Sequence, residues 1–176
     1  MTWEQIGALA SVLTTLIIGV TAGAALIQLR HMRTANQITA STTLLAEAET
    51  PEMRKAFSFC AIELGERMKD PAFIEALKTG KIDRDVHLEI MVGNYWEKVG
   101  VLLRKGLLDR DICLDWSSPN CAHNWRQLEE VAKPLRGRSA PIWRDFEYIA
   151  NLSEARAQEM EKHPLRLPPR PDPHQS

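Results

Sequence analysis

Apolar residues are distributed along the chain in two different ways. From Ile6 to Ile27 they form one uncharged run without proline, whereas from Thr34 onward they recur at three- and four-residue steps between charged positions. As a helix, the first run spans roughly 33 Å, which matches the hydrocarbon core of a bilayer. The periodic part is typical of amphipathic helices that share a core. The pattern therefore predicts an all-α protein, in which an N-terminal transmembrane helix continues into a cytoplasmic helical bundle.

Cap residues, prolines and glycines divide the periodic part into helices. Thr50 before Pro51 and Asp70 before Pro71 each place a capping side chain ahead of a first-turn proline. No stretch alternates with period two for long enough to indicate a strand. The further helices are predicted to begin at Asp83 or Asp85 (ending at Gly106), at Ser118-Pro119, and at Pro141.

Charges at the two ends of the apolar run predict its orientation. Glu4 precedes the run, whereas Arg30, His31 and Arg33 follow it, so the positive-inside rule places the C-terminal part in the cytoplasm. Trp3 is expected at the outer membrane interface, and Arg30 and Arg33 at the inner one. The predicted divisions are a short extracytoplasmic N-terminus (1–5), a transmembrane helix (6–29), a cytoplasmic helical domain (30–162) and a disordered Pro-rich tail (163–176).

Two other interpretations of the apolar run are weaker. A cleaved signal peptide carries lysine or arginine ahead of its apolar part, and residues 1–29 contain neither. A buried core helix of this length and uniformity is uncommon in a chain of 176 residues. No helix breaker separates the run from the stretch Thr34 to Glu49, so the membrane helix is expected to continue rigidly into the soluble domain.

Small residues recur at every fourth position within the apolar run. Such a stripe lets two helix backbones approach closely in lipid, where no hydrophobic drive brings helices together. We therefore expect pairing of this helix, either with a second copy or with another membrane helix. The stripe consists of Gly7, Ser11, Thr15, Gly19 and Gly23.

Composition excludes some classes of function. The chain has 22 Lys+Arg against 23 Asp+Glu, interspersed rather than clustered, so there is no basic footprint for nucleic acid. Its three cysteines fit a reducing compartment better than a disulfide framework. The length between anchor and tail suffices for one domain with one core.

Glu89 and Glu97 are the carboxylates most suggestive of a site. They lie two turns apart on one predicted helix, so with His87 they could share a proton or hold a metal. The favoured interpretation is structural, because a buried carboxylate needs a cationic partner such as Arg136 or Arg144. These four residues form the predicted buried ion-pair cluster, and no catalytic residue is assigned.

Other candidate motifs do not meet the requirements of a metal site. Asp109, Asp111 and Asp115 lack the further ligands of a calcium loop and are better interpreted as a helix N-terminus. Cys113 and Cys121 are too far apart for a structural zinc site. We expect no metal and no cofactor. Trp116, in a predicted connection between helices, is the tryptophan expected to mark a partner surface if one is exposed.

The order of three sequence segments resembles a bacterial family of uncharacterised single-pass membrane proteins, known only as a domain of unknown function. The resemblance implies a membrane-anchored helical protein and supplies no catalytic residues. The segments are Gln28 to Asn36 after the anchor, Asn94 to Gly100 followed by Lys105 to Asp109, and Trp125 to Arg136 followed by Trp143 to Glu147.

These observations favour a non-enzymatic interaction or scaffold module at the cytoplasmic face of a membrane. Its expected partners are the lipid bilayer, a second copy bound through the transmembrane helix, and a cytoplasmic protein, but not nucleic acid. The alternative is a membrane-bound ligand sensor or enzyme with its site in the bundle around Glu89, Glu97 and Arg144. A cavity at those residues would favour the alternative, whereas direct pairing would count against it.

Overall fold

The all-α fold predicted from the sequence is confirmed by a computed structural model, which describes residues 3–137 and 141–162. Within those residues there are seven helices and no strand. The Pro-rich tail, 163–176, lies outside the described residues. The helices are α1 (Trp3–Ala48), α2 (Pro51–Ile62), α3 (Leu64–Arg67), α4 (Pro71–Thr79), α5 (Glu89–Arg104), α6 (Arg110–Arg136) and α7 (Arg144–Lys162).

The predicted starts of α2 and α4 are confirmed by their capping geometry. The Thr50 hydroxyl accepts a hydrogen bond from the Met53 N–H at 3.3 Å, and the Asp70 carboxylate accepts one from the Ala72 N–H at 2.9 Å. Each bond satisfies one of the amide groups that a helix N-terminus leaves free. Gly80 ends α4 in the left-handed conformation, with φ of +78°.

The predicted helix start at Ser118-Pro119 is wrong. α6 begins eight residues earlier, where the Asp109 carboxylate accepts a hydrogen bond from the Ile112 N–H at 3.0 Å, and it continues through Pro119. A proline inside a helix removes one backbone hydrogen bond. Burial on both sides of it compensates, since Cys113 and Cys121 are both fully buried. Trp116 consequently lies within α6 rather than in a connection.

Two other starts are displaced from their predicted positions. The Asp83 carboxylate accepts a hydrogen bond from the Asp85 N–H in a turn, and α5 begins only at Glu89. Pro141 begins a turn, and α7 follows it at Arg144. At Asp83 the capping side chain shapes a turn ahead of α5, and at Pro141 the proline begins a turn ahead of α7. Trp143 ends the second turn with φ of +55°, a conformation that is uncommon for a non-glycine residue.

α1 is one unbroken helix of 46 residues whose two ends have different surroundings. Its C-terminal part packs on the bundle, where Leu44 is buried and its carbonyl accepts a hydrogen bond from the Tyr95 hydroxyl at 3.3 Å. Lys98 Nζ donates to the Glu47 carboxylate at 2.6 Å. These contacts join α1 to α5, so the sequence-predicted continuity between the apolar run and the bundle is found in the structure.

α5 and α7 pack closely because two glycines on α5 leave room for the start of α7. A side chain at Gly93 would overlap the Trp143 ring, and one at Gly100 would overlap the Asp145 backbone carbonyl. Phe146, fully buried, then reaches the centre of the bundle between α5 and α6. The aromatic side chains around this point form the middle of one continuous core.

Candidate functional site

The N-terminal part of α1 exposes a continuous apolar surface. Among the described residues, α1 is the one helix that is long and apolar enough to cross a membrane, and its apolar window, found between Leu13 and Ala48, has no buried residue. Leu16 and Ile18 are each 63% exposed. Exposed apolar area of this extent marks a membrane or protein contact rather than a free surface. The other exposed large side chains here are Leu13, Ile17, Val20, Leu26, Ile27, Leu29 and Met32.

The predicted small-residue stripe lies on this exposed part of α1. Gly7, Gly19 and Gly23 have open space around the positions that side chains would occupy. Thr15 lies on the same four-residue repeat, and the side chain of Ser11 lies outside the described residues. A second helix can therefore reach the α1 backbone at these glycines, which is the geometry that helix pairing in lipid requires.

The predicted interface residues differ in their surroundings. Trp3 is 89% exposed at the start of α1, and Arg30 is exposed. The Arg33 guanidinium extends toward the bundle and reaches Gly106, at the end of α5. The bundle therefore begins to contact α1 directly after the apolar run ends.

Glu89 pairs with a histidine rather than with an arginine. Its Oε1 lies 2.7 Å from His87 Nδ1, both side chains are buried, and the Phe73 ring stacks on the imidazole at 4.1 Å between centroids. Burial raises the pKa of Glu89 above its ordinary value, and the hydrogen bond from His87 opposes that effect. This direct pairing in the interior favours the structural interpretation of Glu89.

Glu97 has a different structural role. Its Oε2 accepts a hydrogen bond from the Phe146 N–H at 2.8 Å, at the first turn of α7. Burial raises the pKa of Glu97, while this bond and the charge of Arg144 act in the opposite direction. Glu97 therefore serves as an N-terminal cap for α7, supplied by another helix.

The two arginines of the predicted cluster are not the partners of Glu89. The Arg136 guanidinium binds the Glu147 carboxylate at 2.7 Å and the Ile142 carbonyl at 3.0 Å, which joins the end of α6 to the start of α7. Arg144 acts on Glu97 through its charge. Of the four predicted residues, only Glu97 and Arg144 therefore act on each other, whereas Glu89 and Arg136 have partners outside the set.

The ion pair that sequence analysis missed joins Arg104 to Asp145. Two parallel bonds of 2.6 and 2.9 Å connect the guanidinium to the buried carboxylate. The hydrogen bond from Arg104 lowers the pKa of Asp145, so the pair stabilises the fold above the ordinary aspartate pKa and loses that effect as the pH falls. The two residues are 41 positions apart, so no local pattern predicts their pairing.

A cavity of about 550 Å³ lies between the C-terminal end of α1 and helices α2, α5 and α6. This volume is in the range of small-molecule sites. Phe57 and Tyr95 contribute aromatic surface, Arg54 contributes a cationic group, and Trp96 and Trp116 complete the wall. Glu89, Glu97 and Arg144 are not part of its lining.

Unpaired polar groups are concentrated at this cavity. Six buried side-chain atoms have no hydrogen-bond partner in the described part of the chain, and three belong to its lining residues: Trp96 Nε1, Trp116 Nε1 and Gln127 Oε1. A buried donor or acceptor without a partner costs about 1–3 kcal/mol. Their grouping indicates a wall that could gain partners from a bound molecule after a small side-chain movement. Sequence analysis named Trp116 as the tryptophan that would mark a partner surface if one were exposed, and the structure places it, half-buried, in this wall.

The cysteines are buried thiols. Burial raises the pKa of Cys60 and Cys121 to about 12 and that of Cys113 to about 11. All three therefore stay protonated and shielded at neutral pH, and such thiols react slowly.

Comparison with known families assigns the chain to one of them. Residues 15–153 match DUF4760, described as a domain of unknown function, and the chain therefore belongs to that family. No curated protein and no solved structure matches the chain. The match begins within the apolar part of α1 and ends in α7, so the family unit includes part of the candidate membrane helix together with the bundle.

Proposed function

We propose that this protein is a membrane-tethered, non-enzymatic interaction module whose bundle lies at the cytoplasmic face. The observation that carries the proposal is the continuous helix α1, which is exposed and apolar in its N-terminal part and packed on the bundle in its C-terminal part. A helix with both properties fixes a folded domain at a constant distance from a bilayer. The charge order around the apolar run supports the orientation.

The contacts at the C-terminal end of α1 support a fixed domain rather than a tethered one. The Tyr95–Leu44 and Lys98–Glu47 hydrogen bonds hold α1 to α5 after the helix leaves the apolar run. The bundle consequently presents a defined set of surfaces to a cytoplasmic partner. Direct pairing of Glu89 and Glu97 with structural groups agrees with a non-enzymatic role.

The test is in-cell cross-linking of the full-length protein, followed by membrane isolation, affinity capture and mass spectrometry. The full-length chain is expected to resist carbonate extraction from membranes and to cross-link to a distinct protein partner. A variant lacking residues 1–33 is the control. It should no longer be recovered with the membranes, but it should still cross-link to the partner. Carbonate extraction of the full-length protein would overturn the tether, and capture of the protein alone would overturn the cytoplasmic interaction.

Replacing both Gly19 and Gly23 with leucine is expected to weaken self-association within the membrane. The two side chains would fill the open space along the stripe and hold a second helix away from the backbone. The weakening is measured as the yield of cross-linked dimers in vesicles at several protein-to-lipid ratios. The matched control changes Thr21 and Ala25, which lie on the opposite face of α1, to leucine. Equal dimer yields in both double variants would contradict pairing through the stripe.

The aromatic cavity favours a second candidate function, in which the module responds to a small ligand. Its aromatic walls suit a planar molecule, and the Arg54 guanidinium, whose Nε lies 3.8 Å from the Glu49 carboxylate in the same lining, suits an anionic group on that molecule. Saturation-transfer NMR with naphthalene-2-carboxylate and the nanodisc-embedded protein is the measurement. Arg54→Gln should reduce the saturation transfer, and Lys55→Gln, on the next residue of α2, should not. Equal signals from both variants, or no signal from the wild type, would exclude this function for the cavity.

A further inference from the structure

The turn between α5 and α6 lies against α1 just beyond the apolar run. Gln37 Nε2 donates a hydrogen bond to the Gly106 carbonyl at 3.4 Å, and the Arg33 guanidinium lies beside Gly106. Gly106 adopts φ of +68°, which reverses the chain where α5 ends. The turn is therefore held at one position along α1.

α6 leaves this turn alongside α1. Asp109, Ile112 and Trp116 line a groove of about 340 Å³ together with Thr34, Ile38 and Leu45 of α1. Gly106, before α6, lies beside Arg33 and Gln37, whereas Trp116 and Asn120, farther along α6, line the adjacent cavity with Leu45 and Ala48. Residue numbers thus increase together along the two helices. Since Leu45 lies farther from the apolar run than Thr34, α6 rises away from the apolar run. The α5–α6 turn is consequently at the end of α6 that faces the candidate membrane.

The rise per residue of α1 gives the distance between this turn and the end of the apolar run. Arg33 and Gln37 lie about 6 and 12 Å beyond Leu29 along an upright helix. The polar layer of a bilayer extends about 5–8 Å beyond each side of its hydrocarbon core. Because the turn lies beside Arg33 and Gln37, side chains that extend from it toward the bilayer reach the headgroup layer.

The residues of the turn have the chemistry of a membrane surface contact. Leu107 is 54% exposed, whereas the next residue, Leu108, is buried and holds the turn on the bundle. Lys105 and Arg110 are exposed on either side of Leu107, and Arg30 and Arg33 add positive charge from α1. Two carboxylates lie nearby, since Asp109 caps α6 and Asp111 is exposed in its first turn, but the four basic residues outnumber them. An exposed apolar side chain between basic residues suits an anionic headgroup layer.

We infer that the α5–α6 turn, residues 105–110, binds the anionic headgroup layer of the membrane that α1 crosses, with Leu107 entering the interface and Lys105 and Arg110 contacting lipid phosphates. The inference rests on the proposed function, because the height of the turn is measured along a membrane-spanning α1. The second contact restricts the tilt of the bundle and sets which of its faces are available to a cytoplasmic partner.

The test measures three positions of the reconstituted full-length protein, one in each labelled variant. The variants Val20→Cys, Leu107→Cys and Leu45→Cys each carry one environment-sensitive fluorophore. Labelling is selective for the introduced cysteine, because the buried native thiols react slowly. The vesicles contain phosphatidylcholine alone or an equimolar mixture with phosphatidylglycerol. Spin-labelled lipids, carrying the quencher on the acyl chain or on the headgroup, report the depth of each label. Leu45 is the matched control, since it is also an exposed leucine and lies about 18 Å beyond Arg33 on an upright α1.

The expected result is quenching at Val20 by the acyl-chain label, loss of emission at Leu107 with the headgroup label in anionic vesicles, and no quenching at Leu45. Quenching at Val20 without quenching at Leu107 would overturn the surface contact and leave the membrane tether intact. Absence of quenching at Val20 would overturn the proposed function itself. The two failures are therefore distinguishable.

The same label at Leu107 tests whether quenching depends on the positive charges of the turn. Changing Lys105 and Arg110 to glutamine should reduce the Leu107 quenching in anionic vesicles toward its value in phosphatidylcholine. Changing the exposed Lys78 and Lys81 to glutamine removes the same charge from the α4 end and is the control. Equal quenching in the two vesicle types would overturn the assignment to anionic headgroups.

Discussion

Replacing Phe146 with alanine is expected to lower the free energy of unfolding by about 3–5 kcal/mol. The side chain is fully buried, so the substitution leaves a cavity in the middle of the core. Its ring centroid lies 6.2 Å from that of Trp96, 4.9 Å from that of Trp125 and 6.3 Å from that of Trp143. These three rings come from α5, α6 and the turn before α7, so one side chain joins three parts of the bundle.

The measurement is urea unfolding of the full-length protein in detergent, followed by far-UV circular dichroism. Tryptophan fluorescence is unsuitable, because the substitution changes the surroundings of three indoles directly. Tyr148, two residues along the same helix and 41% exposed, is the control. Tyr148→Ala should cost about 1 kcal/mol or less. Similar losses in the two variants would contradict the central position of Phe146 in the core.

Local signals predicted the fold class and most helix boundaries of the first half. Thr50 and Asp70 have side chains that cap a helix whose first residue is proline, and both signals act over only a few residues. The length of α1 was predictable for a similar reason, since no proline or glycine interrupts the sequence between the apolar run and Glu49. In these segments, backbone preference and core packing favour the same structure.

Local signals failed where packing opposes them. Ser118-Pro119 has the sequence of a helix start, yet it lies inside α6 because Cys113 and Cys121 are buried on either side of the proline. The Ser118 hydroxyl donates to the Leu114 carbonyl and so supports the preceding turn. The sequence shows that a proline inside a helix would cost a backbone hydrogen bond. It does not show which neighbouring side chains become buried and offset that cost.

The candidate sites were only partly predictable for a different reason. Helical spacing correctly places Glu89 and Glu97 on one helix, but it does not show which groups from other elements lie opposite them. His87 reaches Glu89 from the turn before α5, and Phe146 reaches Glu97 from α7. Sequence analysis singled out Trp116 but placed it in a connection between helices, and it did not predict the aromatic cavity, whose walls come from four helices. The placement of the α5–α6 turn beside Arg33 depends on tertiary packing, which no pattern in α1 contains.

Replacing Gly100 with alanine is expected to destabilise the protein by about 1–2 kcal/mol, against the usual preference of helices for alanine. The added methyl group would lie 2.1 Å from the Asp145 carbonyl oxygen, a backbone atom that moves only with the start of α7. Overpacking of this kind costs about 1–3 kcal/mol, occasionally more, while the gain in helix propensity is about 1 kcal/mol. The steric cost should therefore exceed the gain in helix propensity, so that the substitution lowers the free energy of unfolding.

Gly65→Ala provides the matched control for this prediction. Gly65 is also helical and has open space where the methyl group would lie, so only the propensity gain of about 0.5–1 kcal/mol remains. Urea unfolding of the two variants should give changes of opposite sign. Stabilisation by both would show that α7 does not contact α5 closely at Gly100. Destabilisation by Gly100→Ala alone would establish that this glycine permits the packing on which Asp145, Phe146 and their partners depend.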